Sequence, residues 1–302
     1  MAEAILYGAP APGLVEVPAG AVQVSPLIVG SQDLAEMADA SVDQAVVLAP
    51  GGVLERDYVL AQALRVLKPG APLLAFAPKD KGGSRLRKAL EGFGARVTED
   101  ARRHHRFCHV ARPAELTGVA EAIAAGAPRL SPDLGAWTQP GVFSWDRLDP
   151  GSAKLIELLP TLSGQGADLG CGIGLLAQRV LASPAVARLT CLEIDRRAAA
   201  CAERNLDDPR AMVRWADVRQ WDDSLVGLDF VVMNPPFHDG GTEDRELGVT
   251  FIRTAARMLR RGGVCWVVAN RHLPYEAALA GAFESAEVRA DAGGYKIFEA
   301  RR

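Results

Sequence analysis

Cysteine is scarce, with five in 302 residues, an odd number and no C-x-x-C pair among them. That excludes a disulfide-framed scaffold and points to reduced thiols in a cytoplasm. No apolar run approaches the length of a membrane span, and Met1 to Pro10 lack a basic, signal-like start. The expectation is therefore a cytoplasmic chain, most simply a monomer, with no membrane attachment. Histidine is also sparse, at five. His104, His105 and His109 lie close in sequence, but Phe107 to Val110 reads as a strand, so no metal site is expected there. The chain's one glycine-dense turn has no Lys beside it and no G-x-G-x-x-G spacing, so neither phosphate-binding fingerprint is present at it.

That turn runs Asp168-Leu169-Gly170-Cys171-Gly172-Ile173-Gly174. It follows a short strand-like stretch, Gln165 to Leu169, and precedes a helical pattern, Leu175 to Leu181. Alternate glycines remove Cβ atoms, permit positive φ and let main-chain N–H groups face a ligand. Without a pyrophosphate motif, the acid at the loop entry suits a cationic amino group, such as the amino-acid end of S-adenosylmethionine. A second strand, Ala187 to Leu192, closes at Glu193, a carboxylate placed to accept ribose hydroxyls, with Ile194 next to it. Asp217, followed by Val218, comes after a third strand, where a loop would meet the adenine amino group. Gly170, Cys171, Gly172, Gly174, Asp168, Glu193, Ile194, Asp217 and Val218 thus form a candidate cofactor pocket.

The chemistry is carried by Asn234-Pro235-Pro236-Phe237. The apolar strand Leu228 to Met233 must stop there, because two prolines cannot continue a ladder. An exocyclic amine on a base is a poor nucleophile, its lone pair being delocalised into the ring. The Asn234 side-chain oxygen and the Pro235 carbonyl can accept its two hydrogens and favour a pyramidal nitrogen, while Phe237 stacks on the base. Glycine turn and Asn-Pro-Pro-Phe together fit methyl transfer to nitrogen. His238 is the nearby titratable group, expected to shape the pocket rather than act as a base.

From about Gly141 to Arg302 the chain resembles the class I S-adenosylmethionine-dependent methyltransferases, and within them the ribosomal RNA small-subunit guanine-N2 methyltransferase C family. The matching segments are Pro140 to Ser144, Asp149-Pro150-Gly151-Ser152, the glycine turn, Asn234 through Gly240, and Val268 to Tyr275. Asn-Pro-Pro-Phe alone is shared with DNA adenine-N6 and protein glutamine-N5 enzymes; its extension through His238-Asp239-Gly240 and the later Leu273-Pro274-Tyr275 narrow the match. The resemblance implies methylation of guanine N2 in small-subunit (16S) ribosomal RNA, with rRNA or the small subunit as partner and Phe143 helping to cover the cofactor. Nothing in the spacing separates guanine from adenine. Large-subunit rRNA, DNA adenine, and a non-enzymatic RNA-binding assembly factor stand as alternatives.

The net charge of −3 hides a split. Residues 1 to 78 carry 3 Lys/Arg against 8 Asp/Glu, whereas residues 79 to 112 carry 10 against 4, a net +6. The second stretch is a candidate surface for RNA phosphates. An internal repeat is also legible: Val42 to Pro50 lines up with Leu228 to Pro236, and Ala63 to Gly70 with Ala256 to Gly262. In the first copy Leu48 replaces Asn234, and no glycine run precedes it. The expected fold is α/β, with two tandem Rossmann-like methyltransferase domains built on mostly parallel sheets of the seven-stranded type. Residues 1–112 form a degenerate copy that positions RNA, 113–140 a linker, and 141–302 the catalytic domain. Helices are expected at 115–125 and 152–159, and a closing hairpin at 286–300.

Overall fold

The computed structural model describes residues 3–221, 224–236, 238–239, 242–243 and 245–302. The chain divides into two compact units, residues 1–128 with 139–141, and residues 129–138 with 142–302.

In the first unit, strands β1 (Ala4–Tyr7), β2 (Val22–Gln23) and β3 (Gln44–Leu48) lead through helix α1 (Val53–Val66) to β4 (Pro72–Pro78). Helix α2 (Leu86–Gly92), the hairpin β5 (Val97–Arg102) and β6 (His105–Ala111), and helix α3 (Val119–Gly126) follow. The sheet order is β2-β1-β3-β4-β6-β5, parallel from β2 to β4 and antiparallel at β6 and β5. The continuous apolar runs of β3 and β4 are what a strand buried on both faces requires. One face packs Leu60, Leu64 and Leu90 in the main core, and the other packs Leu14, Phe76 and Phe107.

The second unit opens with a small hairpin, β7 (Arg129–Ser131) and β8 (Ala136–Thr138), then helix α4 (Pro150–Leu158) and β9 (Gly164–Leu169). Helix α5 (Leu175–Leu181), β10 (Val186–Glu193), helix α6 (Arg196–Asn205), β11 (Ala211–Trp215) and β12 (Leu228–Met233) come next. Beyond them lie the two-residue strands β13 (His238–Asp239) and β14 (Thr242–Glu243), helix α7 (Arg245–Met258), β15 (Leu259–Asn270), helix α8 (Tyr275–Ala282), β16 (Ser285–Ala292) and β17 (Tyr295–Arg301). The main sheet has seven strands in the order β11-β10-β9-β12-β15-β17-β16. It is parallel from β11 to β15, and the closing hairpin is antiparallel.

The two units are tandem copies of one α/β plan, the first with six strands in place of seven because, among the described residues, no strand lies outside β2. The repeat extends to individual contacts. Val42 bridges Leu67 as Leu228 pairs with Leu259. Asp43 binds Lys68 at 2.7 Å as Asp229 binds Arg260 at 2.7 Å. Gly70 and Gly262 both turn the chain at positive φ, 81° and 75°, and the N–H of each donates to the carbonyl of a terminal arginine, Arg112 or Arg302.

Residues 113–140 carry α3 and the β7–β8 hairpin. Helix α3 begins four residues later than Glu115, at Val119 after Gly118 at φ 67°. Residues 113–117 are tied elsewhere: Arg112 donates to the Pro113 and Ala114 carbonyls, and Thr117 Oγ1 to Gly92. All five cysteines are free and buried. Among the described residues, no helix is long and apolar enough to cross a membrane, and no His, Cys, Asp and Glu group could hold a metal.

Candidate active site

Parallel sheets of this type place ligands at the carboxyl ends of their strands, next to the point where strand order reverses. Here the reversal lies between β9 and β10 on one side and β9 and β12 on the other. The chain leaves β9 through Gly170, Gly172 and Gly174 at φ 72°, 56° and 89°, a left-handed run that favours glycine. Gly170 and Cys171 N–H groups donate to the Leu192 carbonyl at 2.8 and 3.1 Å, pinning the loop to β10. A Cβ at Gly172 would meet nothing within 4 Å, so open space lies over that position.

Asp168, the last residue but one of β9, is 1% exposed, and neither carboxylate oxygen has a hydrogen-bond partner. Burial raises its pKa to about 8; the neighbouring Glu193 pushes the same way, and the Ala177 backbone N–H pulls against both. A buried carboxylate that the Ala177 N–H supports too weakly to offset its burial fits a site that receives a cation from outside. Glu193, at the end of β10, accepts the Gly172 N–H at 2.7 Å and the Asp195 N–H at 2.9 Å. Its burial raises its pKa to about 7 against the pull of the Asp195 N–H. With these donors and the Ile194 N–H, the carboxylate still keeps a lone pair for a hydroxyl.

Asn234 follows directly on β12 and stands in the same cleft as Asp168, Gly170 and Gly172, with Phe143, Asp149 and Ser152. The cleft holds about 490 Å³, open solvent included. The Asn234 Nδ2 donates to Asp149 Oδ2 at 2.9 Å and to Ser152 Oγ at 2.8 Å. Among the described residues nothing donates to its Oδ1, which leaves that oxygen as an acceptor for a ligand. Phe143 is 59% exposed at the cleft, and Ser144 beside it holds φ 53°, a strained value for a residue with a side chain.

The remaining residues expected at the site lie around it. Ile194 gives its carbonyl to Trp215 Nε1 at 2.8 Å, and Val218 is buried in the core. Asp217 is engaged by Arg219, which reaches Oδ1 at 2.9 Å through Nε and Oδ2 at 2.9 Å through Nη2. An adenine amino group would have to share or displace that guanidinium. Pro235 is buried and ends the strand. Phe237, Gly240 and the side chains of His238 and Asp239 lie outside the described residues.

Sequence reading gave Asp149, Ser152 and Asn205 no role. Asn205, at the end of α6, donates to the Ile173 carbonyl of the glycine loop and to Trp137, whose N–H it accepts at 2.7 Å. Asp-Pro-Gly-Ser is recognisable as a helix cap, but its tie to an asparagine 82 to 85 residues away has no local signal. A larger cleft, about 980 Å³ with open solvent included, opens among Asp229, Arg260, Arg289 and Arg301 at the far end of the strands. Its charges are satisfied by one another, Arg260 with Asp229 and both Arg289 and Arg301 with Glu299.

Comparison with known proteins agrees with this geometry. The methyltransferase small domain family matches residues 133–299. The ribosomal RNA small subunit methyltransferase C of Shewanella loihica is 32% identical over 266 residues, 86% of this chain and 77% of the relative. Its counterpart in Shewanella amazonensis is 32% identical over 267 residues, with the same coverage. Among solved structures, a T. thermophilus 16S rRNA N2 methyltransferase in complex with AdoMet and guanosine superposes with a TM-score of 0.75 at 26% identity. That match covers 89% of this chain and 75% of the other. Similarity of this extent runs through both units as well as the glycine loop and Asn234, and the chain belongs to the ribosomal RNA small subunit methyltransferase C family.

Proposed function

We propose that this protein transfers a methyl group from S-adenosylmethionine to the exocyclic N2 of a guanine in small-subunit (16S) ribosomal RNA. The observation that carries this reading is the pairing, in one cleft, of the unpartnered buried Asp168 with an Asn234 whose NH2 is tied back and whose Oδ1 is left as an acceptor. The choice of guanine and of 16S rRNA rests on the names of the relatives.

Asp168 would take the cofactor's amino group, the N–H groups of the glycine loop its carboxylate end, and Glu193 its ribose hydroxyls, with Phe143 covering the cleft. When bound, S-adenosylmethionine supplies an electrophilic methyl group on a sulfonium. The chain's part is to present the nucleophile. Asn234 Oδ1 and the Pro235 carbonyl accept the two amine hydrogens, turn the lone pair out of conjugation and hold the nitrogen in line. As the nitrogen gains its fourth bond, its hydrogens become more acidic and both acceptors bind more strongly, so the contacts favour the transition state over the ground state. The surplus proton passes to solvent after transfer.

In the first unit, Lys79, Arg85, Lys88, Arg102 and Arg103 are exposed. The Lys79 N–H donates to the His104 carbonyl, which brings the end of β4 to the β5–β6 turn. These charges support a role for this unit in holding RNA phosphates without reading sequence.

The test is transfer of labelled methyl to 16S rRNA, followed by mapping of the modified nucleotide. Asn234→Ala is expected to lower kcat on the order of 10²-fold, comparable to removing one preorganised polar group. Cofactor affinity should change little. Transfer at the unaltered rate in that variant would remove Asn234 from the chemistry.

A further inference from the structure

An asparagine that must present oxygen to a target amine has a problem of its own: its amide can rotate by half a turn and present two N–H donors instead. The structure holds the feature that prevents this. Asp149 Oδ2 lies 2.9 Å from Asn234 Nδ2, and a carboxylate has no proton to give, so only the NH2 end of the amide can face it. Ser152 Oγ accepts the same NH2 at 2.8 Å. With both N–H groups spent on Asp149 and Ser152, Oδ1 is the end left for the substrate.

Asp149 is itself braced. It caps helix α4, its Oδ2 accepting the Ser152 N–H at 2.8 Å, with Pro150 at the first helical position. The Tyr295 ring of β17 packs on the first turn so closely that a Cβ at Gly151 would lie 2.8 Å from its Cε1. The cap, the strand end and the closing strand of the sheet therefore fix one carboxylate against one amide.

We propose that Asp149, assisted by Ser152, is a positioning residue that sets the orientation and the polarity of the Asn234 amide; this rests on the methyl-transfer reading above. Donation to a charged acceptor draws electron density through the amide from nitrogen toward Oδ1, a charge-assisted contact of the stronger kind. A more negative Oδ1 binds the amine hydrogens most tightly when the nitrogen becomes cationic, so the effect falls on kcat and not on KM. It also crosses from the first helix of the second unit to the end of β12, a coupling between residues 85 positions apart.

The decisive variant is Asp149→Asn, because asparagine caps a helix about as well as aspartate and leaves α4 intact. It removes the charge and allows either end of the Asn234 amide to face residue 149. The expected result is a fall in kcat of about 10- to 100-fold, less than the roughly 10²- to 10³-fold for losing a polar group that itself touches the transition state, with both KM values within about twofold. Ser152→Ala, which keeps the carboxylate, should lose several-fold less. In an Asn234→Ala background Asp149→Asn should cost nothing further, since a residue acting through Asn234 has nothing left to act on. Independently of activity, the Asn234 side-chain amide of cofactor-free protein should give slowly exchanging, downfield 1H–15N signals that move upfield in Asp149→Asn. A wild-type kcat in Asp149→Asn, full loss in the Asn234→Ala background, or unmoved amide signals would each overturn the proposal. If the wild-type protein itself moves no methyl to 16S rRNA, the methyl-transfer reading falls, and the amide signals still decide whether Asp149 orients Asn234.

Discussion

Cofactor binding should release a proton from the protein, and the quantity follows from Asp168. Burial raises this carboxyl's pKa to about 8, so at pH 7 roughly nine-tenths of the free protein carries it protonated. A cationic amino group seated against it requires the ionised form. S-adenosylhomocysteine has the same amino-acid end and cannot react, which makes it the ligand for the measurement. At pH 7 its binding should release most of one proton from Asp168, with a further fraction from Glu193, whose pKa is raised to about 7 and which the ribose hydroxyls favour as a carboxylate. Affinity should rise roughly tenfold from pH 6 to pH 7 and level off above about pH 8, where Asp168 is already ionised in the free protein. Calorimetry in two buffers of different ionisation enthalpy reads the proton count directly. In Asp168→Asn the Asp168 share of the release should vanish and affinity should fall. The sign for stability is opposite. Both acids bind protons more tightly folded than unfolded, so their contribution is fully present below about pH 4 and is lost as pH rises through about 8. The thermal midpoint of cofactor-free protein should therefore drop between pH 5 and 8, and saturating ligand should restore it. Buffer-independent enthalpy at pH 7, together with an affinity flat from pH 6 to 7.5, would refute the placement of Asp168 against the cation.

Three other substitutions test the remaining parts. Gly172→Asp projects a carboxylate into the open space over the loop, at a φ of 56° and beside Asp168 and Glu193; cofactor binding should be abolished while circular dichroism stays unchanged. Reversing Arg85, Arg87 and Lys88 to Glu should weaken binding to 16S rRNA and lower the slope of log affinity against log salt by roughly 0.7–0.9 for each phosphate no longer neutralised. Arg87 already pairs with Glu91 at 2.8 Å, so the other two should dominate; a filter-binding titration with unchanged affinity and slope would make this stretch an ordinary solvated face. Gly166→Ala should destabilise the second unit by about 1–3 kcal/mol through overpacking. Its Cβ would lie 2.1 Å from the buried Phe230 ring, and denaturant unfolding followed by intrinsic fluorescence measures the loss.

The order of elements in the second unit was legible in the sequence because its signals are local. Glycine ends β9, proline ends β12, and apolar runs separate the two, so strands expected at 165–169, 187–193 and 228–233 lie within one residue of their places. Where the signal is not local the reading stops short. Strand β15 starts at Leu259, directly after α7, five residues before the apolar run at Val264; Arg260, Gly262 and Gly263 do not look like a strand, but Leu259 is held by its pairing with Leu228. Strand β2 has two residues, too few to show a period. Within the site, the acids at strand ends were visible one at a time. That Asp217 would be claimed by Arg219, and Asn234 by Asp149 and Ser152, depends on side-chain contacts that no periodicity encodes.

The first unit shows why retaining a sheet is not the same as retaining a site. Its strand β1 occupies the place of β9 and its strand β3 the place of β12, since each pair lies side by side in the same order. At that corner Gly8 turns at φ 90°, as Gly170 does at 72°, but a Cβ on Gly8 would lie 2.8 Å from the Leu48 Cβ. An aliphatic side chain thus stands where Asn234 presents an amide in the second unit, and it offers no acceptor to an amine. The chain beyond Gly8 reaches β2 without an intervening helix, so no helix N-terminus is available to bind an anionic cofactor end. The contacts that the two units share, the Asp43–Lys68 and Asp229–Arg260 pairs and the turns at Gly70 and Gly262, support the sheet and touch neither site. What duplication preserved is the scaffold. The groups that differ are those at the carboxyl ends of the strands, where cofactor and target would meet.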